Sequence, residues 1–277
     1  MPYLSVNSWA LRRHLGPLRW SVWDAKTQQI VVREDPQPET THLLDLPREL
    51  AARGYQAVDI CHFHFPTTDR QYLQQLKEAC TRHDIRFHTL LVDYGDISSA
   101  DEVRVKADVA FIRSWIDIAA EAGAERIRIV AGESPAEDQE ALDRSIEQLK
   151  NLYDYAKPKG VQVITENFRP LALTAANCLR LIQSGESDIG LITDFGNFKH
   201  HGERKYDELA AILPFSESVH AHALYDDNGH PNADEFRKCL DLLPASGFNG
   251  AIALVYGGPG DMWKGLDRMQ AVVEAYL

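Results

Sequence analysis

The sequence predicts an α/β fold, a closed (β/α)8 barrel, on three observations. Eight short apolar runs, many of them β-branched, alternate with longer segments of helical period from end to end. The connections between most of them are short. A glycine repeatedly stands where a helical segment gives way to the next run. Eight such alternations favour a closed parallel barrel over an open doubly wound sheet. No Gly-x-Gly-x-x-Gly follows the first run, as a dinucleotide-binding sheet would require.

The strand runs are 4–8, 57–61, 86–91, 126–131, 161–166, 189–194, 218–224 and 251–256. Between them, 69–83 sets Tyr72, Leu73, Leu76 and Ala79 on one helical face. The segment 101–122 repeats Val105, Val109, Ile112, Ile116 and Ala119 at spacings of three and four. The segment 134–157 opens with Ser134-Pro135, an N-cap followed by a first-turn proline. Shorter helices are expected at 174–183 and 206–213. Another follows the Asn232 turn at 234–243, and 262–276 completes the pattern. Gly54, Gly123, Gly160 and Gly247 are expected to end helices in the left-handed conformation.

The segment 14–40 is too long for an ordinary strand–helix loop. In it, Trp20-Ser21-Val22-Trp23 and Ile30-Val31-Val32 flank a polar five-residue turn, predicting a small β-hairpin inserted after the first strand. On a barrel rim such a hairpin either lids the pocket or decorates the surface. The sequence leaves both readings open.

A length of 277 residues suits one barrel domain spanning 1–277, and 44% hydrophobic residues are enough for its core. Twenty-nine basic against 41 acidic residues give a net charge of −12, which disfavours phosphate backbones and anionic lipids. No nucleic-acid or membrane partner is therefore expected. The chain begins without a basic segment ahead of an apolar run, and no stretch has the length of a membrane span. Cys61, Cys80, Cys178 and Cys239 are far apart and read as reduced core thiols, which points to the cytoplasm.

In a parallel barrel, chemistry is carried by residues at the C-terminal ends of strands. The fifth run ends in Glu166-Asn167 and the sixth in Asp194-Phe195-Gly196-Asn197. The seventh carries His220 and His222, two apart and so on one strand face. Two carboxylates and a histidine on successive strands offer mixed oxygen and nitrogen donors. Such a set suits Mn²⁺, Mg²⁺, Co²⁺ or Zn²⁺. Taken singly, a strand-end Asp caps a helix and a strand His is a core group; in register on neighbouring strands, they read as a site.

These motifs, in this order, resemble the xylose-isomerase-like barrel superfamily. It includes sugar isomerases and epimerases, inosose isomerases and dehydratases, dehydroshikimate dehydratases and the endonuclease IV branch. The similarity runs from Leu4 to the last helix and is strongest from Val161 to Gly260, where Phe248-Asn249-Gly250 and Tyr256-Gly257-Gly258-Pro259-Gly260-Asp261 also match. The resemblance implies that Glu166 is a metal ligand and acid/base, that Asp194 is the second ligand, and that His222 is the third. His220 becomes a pocket neighbour. Asn197 stands where many members place a substrate-contacting histidine.

One departure bears on mechanism. Members usually carry a second glutamate at the end of the eighth strand, as fourth ligand and second base; here Val255 holds that place. Epimerisation commonly uses a base on each face of a planar enediolate. Aldose–ketose isomerisation or elimination of water runs with one base and a metal. Among rim residues, His62, His64, Trp9 and Arg169 are candidate substrate contacts, Arg169 for a carboxylate or phosphate. Glu133 is either a compensating carboxylate or a helix cap before Pro135. His88 is an inward pocket group or core. Lys199, His200 and His201 stand at the pocket mouth or in a solvated loop.

The expected function is thus a metal-assisted isomerase or lyase acting on a small polyhydroxylated substrate, a sugar or cyclitol derivative. The alternatives are a non-catalytic or auxiliary sugar-binding barrel, a ketose epimerase and an abasic-site endonuclease. Homo-oligomers are common among related barrels.

Overall fold

Every residue of Ala57–Cys61, Gly190–Asp194 and Ala251–Val255 is buried. Parallel strands covered on both faces look like this. The structure, a computed structural model, describes residues 1–184, 187–198 and 202–277; Lys199, His200 and His201 lie outside the described residues.

The barrel strands are β1 (Tyr3–Asn7), β4 (Ala57–Cys61), β5 (Arg86–Val92), β6 (Arg126–Ile129), β7 (Gln162–Glu166), β8 (Gly190–Asp194), β9 (Ser216–His222) and β10 (Ala251–Val255). They close parallel in the order β1-β10-β9-β8-β7-β6-β5-β4. Strand β1 seals the circle, pairing Tyr3↔Ala251 on one side and Ser5↔Ala57 on the other. The predicted (β/α)8 barrel is therefore the observed fold.

Around it lie α1 (Leu46–Ala51), α2 (Arg70–Arg82), α3 (Glu102–Ala122), α4 (Gln139–Ala156), α5 (Ala175–Gln183), α6 (Glu203–Ile212), α7 (Ala233–Leu240), α8 (Leu242–Ser246) and α9 (Met262–Val273). Their apolar faces join the outer faces of the strands in one large core. Inside the barrel, Cys61, Leu91, Ile164 and Ile192 form a separate apolar cluster. Gly54, Gly123, Gly160 and Gly247 all have φ between 71° and 81°, as the helix ends require.

Three helix readings need correction. Helix α4 begins at Gln139, not at Ser134, because the Asp138 side chain accepts the amide of Ala141 and outcompetes Ser134-Pro135 as cap. The predicted helix 234–243 is two pieces, broken at Asp241. Helix α1 escaped the periodicity because it spans only 6 residues, with a proline in its first turn.

The inserted hairpin pairs β2 (Leu18–Asp24) with β3 (Gln29–Asp35), from Leu18↔Asp35 to Asp24↔Gln29. Its turn is closed by the Asp24 carboxylate, which accepts the Lys26 amide at 2.9 Å. Trp20 packs on Phe63 with ring centroids 4.4 Å apart, and Trp9 meets both rings at 6.1 Å. The hairpin is thereby pinned over the barrel mouth.

Candidate active site

Strand alternation aims every second residue into the barrel, and register sets their height. Asp194 pairs with His220, Val255 with His222, and Asn7 with Asp59. Of these, Asn7, Asp194, His220, His222 and Val255 line one cavity of about 310 Å³ at the C-terminal ends of the strands. Its walls include Trp9, Trp20, Arg169, Asn197 and Val255.

Beneath it runs a continuous polar chain. His88 Nδ1 lies 3.2 Å from Asp59 Oδ1, and Asp59 Oδ2 lies 3.2 Å from His220 Nε2. His220 Nδ1 then stands 3.3 Å from Glu166 Oε1, which also accepts from Asn197 Nδ2 at 3.1 Å. On the far side Arg128 Nε approaches Glu166 Oε2 at 3.0 Å, as an ion contact without hydrogen-bond alignment. Arg128 also ion-pairs closely with Asp93 and donates to the Val92 carbonyl.

Asp194 is held as firmly. Asn167 accepts its backbone N–H at 2.6 Å and donates to its carbonyl at 3.0 Å, clamping β7 to β8. The Gly196 amide donates to Asp194 Oδ1 at 2.6 Å, and His222 Nδ1 lies 3.5 Å from the same oxygen. Gly196 has to be glycine: a Cβ there would come within 2.6 Å of His222 Nδ1.

Burial disfavours charge throughout this cluster, and the pairings overrule it. Burial would raise the Asp59 carboxyl, but hydrogen bonds from His220 and His88 hold it well below the usual range. Burial would lower His220, yet the Glu166 charge and the Asp59 hydrogen bond push it up to about 10. His222 is raised by Asp194, which His222 lowers in turn, again against burial. Arg128 is raised by Asp93 and Glu166.

Glu166, Asp194 and His220 each offer a donor atom, all within 4.8 Å of one another. His220, expected as a pocket neighbour, is the histidine within that distance; it sits between Asp59 and Glu166, while His222, the expected third ligand, stands a third exposed beside Asp194. The set fits a divalent cation, since the buried Glu166 Oε2 finds no hydrogen-bond partner and the donors are of oxygen and nitrogen. Arg128 already leans on one of those donors.

Other expected residues separate. Trp9, Arg169 and Asn197 line the cavity. His62 and His64 are buried beneath the rim, outside the lining, and burial lowers them to about 4 and about 3. Glu133 caps no helix; it faces Arg104 at 3.7 Å under the hairpin. Arg169 has φ 69° and ψ 159°, a backbone region costing about 1–3 kcal/mol for a residue with a side chain. Such strain is characteristic of functional rims.

Asp59, Arg128 and Trp20 were not singled out from the sequence. The signal existed for two of them: Val58-Asp59-Ile60 and Ile127-Arg128-Ile129 put a charge inside a strand covered on both faces. Such a charge demands a buried partner.

A family model described as xylose isomerase-like TIM barrel matches residues 47–272. The chain belongs to that family. Among solved structures, a D-psicose 3-epimerase studied in the presence of D-fructose superposes with a TM-score of 0.70 at 12% identity, covering 99% of this chain and 97% of its own. The IOLI protein with a bound zinc atom gives 0.70 at 16%, covering 99% and 98%. A 3-keto-D-glucoside 4-epimerase from E. coli gives 0.65 at 16%, covering 84% and 94%. At these identities the likeness is one of fold. No curated protein matches by sequence. Among the described residues, no helix is long and apolar enough to cross a membrane.

Proposed function

We propose that the chain is a metal-assisted isomerase or lyase of small polyhydroxylated substrates, sugars or cyclitols, working at this cavity. The observation that carries the reading is the Glu166–Asp194–His220 cluster at the floor of a chamber walled by Trp9 and Trp20. An indole face against C–H bonds and convergent polar groups below are what a sugar ring needs. Family membership and neighbours whose titles name sugar epimerases and a bound zinc support it.

In this reading Glu166, Asp194 and His220 hold a divalent ion, with His222 orienting Asp194. The ion, when bound, polarises a substrate carbonyl. Glu166 removes the proton from the neighbouring carbon and returns it, and Asn197 and Arg128 hold its carboxylate in place. Val255, not a carboxylate, lines the cavity beside His222, so no second base is supplied from β10. One base serves proton shuttling between adjacent carbons on one face, or elimination, better than epimerisation through two faces.

The test is turnover of ketoses, aldoses and inososes with Mn²⁺, Co²⁺, Zn²⁺ or Mg²⁺, followed by NMR in D₂O. Deuterium should appear at one exchanging carbon, and Glu166→Gln should cost roughly 10²–10⁴ in rate. Absence of any turnover, with sugars still bound, would favour the second reading, a binding barrel. Val255 and the Arg128 contact on Glu166 are what speak for that one.

A further inference from the structure

The cavity does not end at the inner chamber. A second chamber of about 430 Å³ adjoins it, and the two share Trp20, Asp93 and Arg169. The inserted hairpin forms its roof through Trp20 to Trp23, and Arg104 and Glu133 face it from the barrel side. Each chamber alone lies toward the low end of the roughly 300–1,000 Å³ that small-molecule sites span. Together they make a site with two compartments.

The lining of the outer chamber decides what it takes. Trp20 and Trp23 are among its lining residues, and the guanidinium and carboxylate groups offer donors and an acceptor. Its charges cancel: Arg104 and Arg169 stand against Asp93 and Glu133. Arg104 is spent further, within 3.4–3.7 Å of Asp96, Asp108 and Glu133. A phosphate here would meet the Glu133 carboxylate, an Asp93 already paired with Arg128, and one uncommitted cation. A neutral ring with hydroxyl edges and C–H faces meets partners on every side.

We propose that the substrate is a glycosylated sugar, its reacting ring in the inner chamber and a second, uncharged sugar ring under the hairpin between Trp20–Trp23 and Arg104–Glu133. This rests on the inner chamber being a sugar site, as proposed above. The hairpin is then a specificity element, and Arg169 bridges the two rings from the junction.

The experiment is calorimetric titration of the full chain with D-fructose, its glucosyl derivatives turanose, maltulose and isomaltulose, and fructose 6-phosphate. At least one glucosyl-fructose should bind roughly tenfold tighter than fructose, since a buried aromatic anchor typically contributes that much. Trp23→Ala should collapse that ratio and Trp23→Tyr should preserve it, with circular dichroism checking that the hairpin variants fold. Binding of fructose with no gain for any disaccharide would refute the outer site and leave the inner one standing. Tightest binding by fructose 6-phosphate would also refute it, in favour of an anion anchor. If none of the sugars binds, the inner-site reading falls and this inference with it.

Discussion

Replacing Arg128 by methionine isolates the most consequential contact in the barrel. Arg128 is 3% exposed and lies between Asp93 and Glu166, with its Nε 3.0 Å from the Glu166 carboxylate. Methionine keeps much of the volume and removes the charge, so the buried Glu166 and the mostly covered Asp93 lose their shared cation. Breaking one side of a buried pair costs about 3–5 kcal/mol. For a chain of this size each kcal/mol moves Tm by about 2 °C, so the expected drop is about 6–10 °C. Calorimetry with added EDTA reads this term alone. The same change frees Glu166 for a cation. Saturating Zn²⁺ or Mn²⁺ should therefore raise the variant's Tm by more than it raises that of the parent chain. If R128M melts within a degree of the parent and metal stabilises both equally, the assignment of Arg128 as the counter-ion of Glu166 is wrong.

Acid should weaken the fold through His62 and His64. Both are held neutral by burial, at about 4 and about 3 in the folded chain against about 6.5 unfolded. Their contribution is complete above pH 6.5 and is lost as pH falls, because the unfolded chain then binds protons that the folded one refuses. Between pH 6.5 and 5 the pair should remove about 3 kcal/mol, read by urea unfolding; His64→Leu should halve that slope, and an unchanged slope would count against the burial argument. Gly196→Ala should cost about 1–3 kcal/mol by forcing a methyl against His222, and a neutral result by thermal unfolding would mean that the loop simply shifts. Val255→Glu, placed where the cavity lacks a fourth ligand, should raise metal affinity at least tenfold by titration while lowering metal-free stability by a few kcal/mol; equal affinity would show that β10 does not face the ion.

Much of this architecture was legible because it rests on local signals. The eight strand runs lie within a few residues of the observed strands, and the four cap glycines adopt the conformation that their positions demand. Two apolar runs, Trp20-Ser21-Val22-Trp23 and Ile30-Val31-Val32, on either side of a polar turn announced the hairpin. Less local facts were out of reach. Nothing in His220-Ala221-His222 tells which ring sits deeper, because that depends on Asp59, which is 161 residues away from His220. The outer chamber was equally hidden, since it exists only where the hairpin roof meets Arg104 of α3 and Glu133 after β6. Helix α4 shows the opposite lesson: a good cap sequence at Ser134 lost to a better one four residues on.

The polar chain from His88 through Asp59 and His220 to Glu166 also has a kinetic meaning. It joins four strands by hydrogen bonds, one spanning 161 residues and another 54. Contacts so distant along the chain pay their loop-closure entropy before they return any stability, so they form late. The burial that shifts these groups does not exist until β1 has met β10. A chain stalled with an open sheet has helices, strands and caps, yet no site. Recovery of ligand binding after dilution from urea should therefore trail the return of helical signal, and the site is the last part of the molecule to be born.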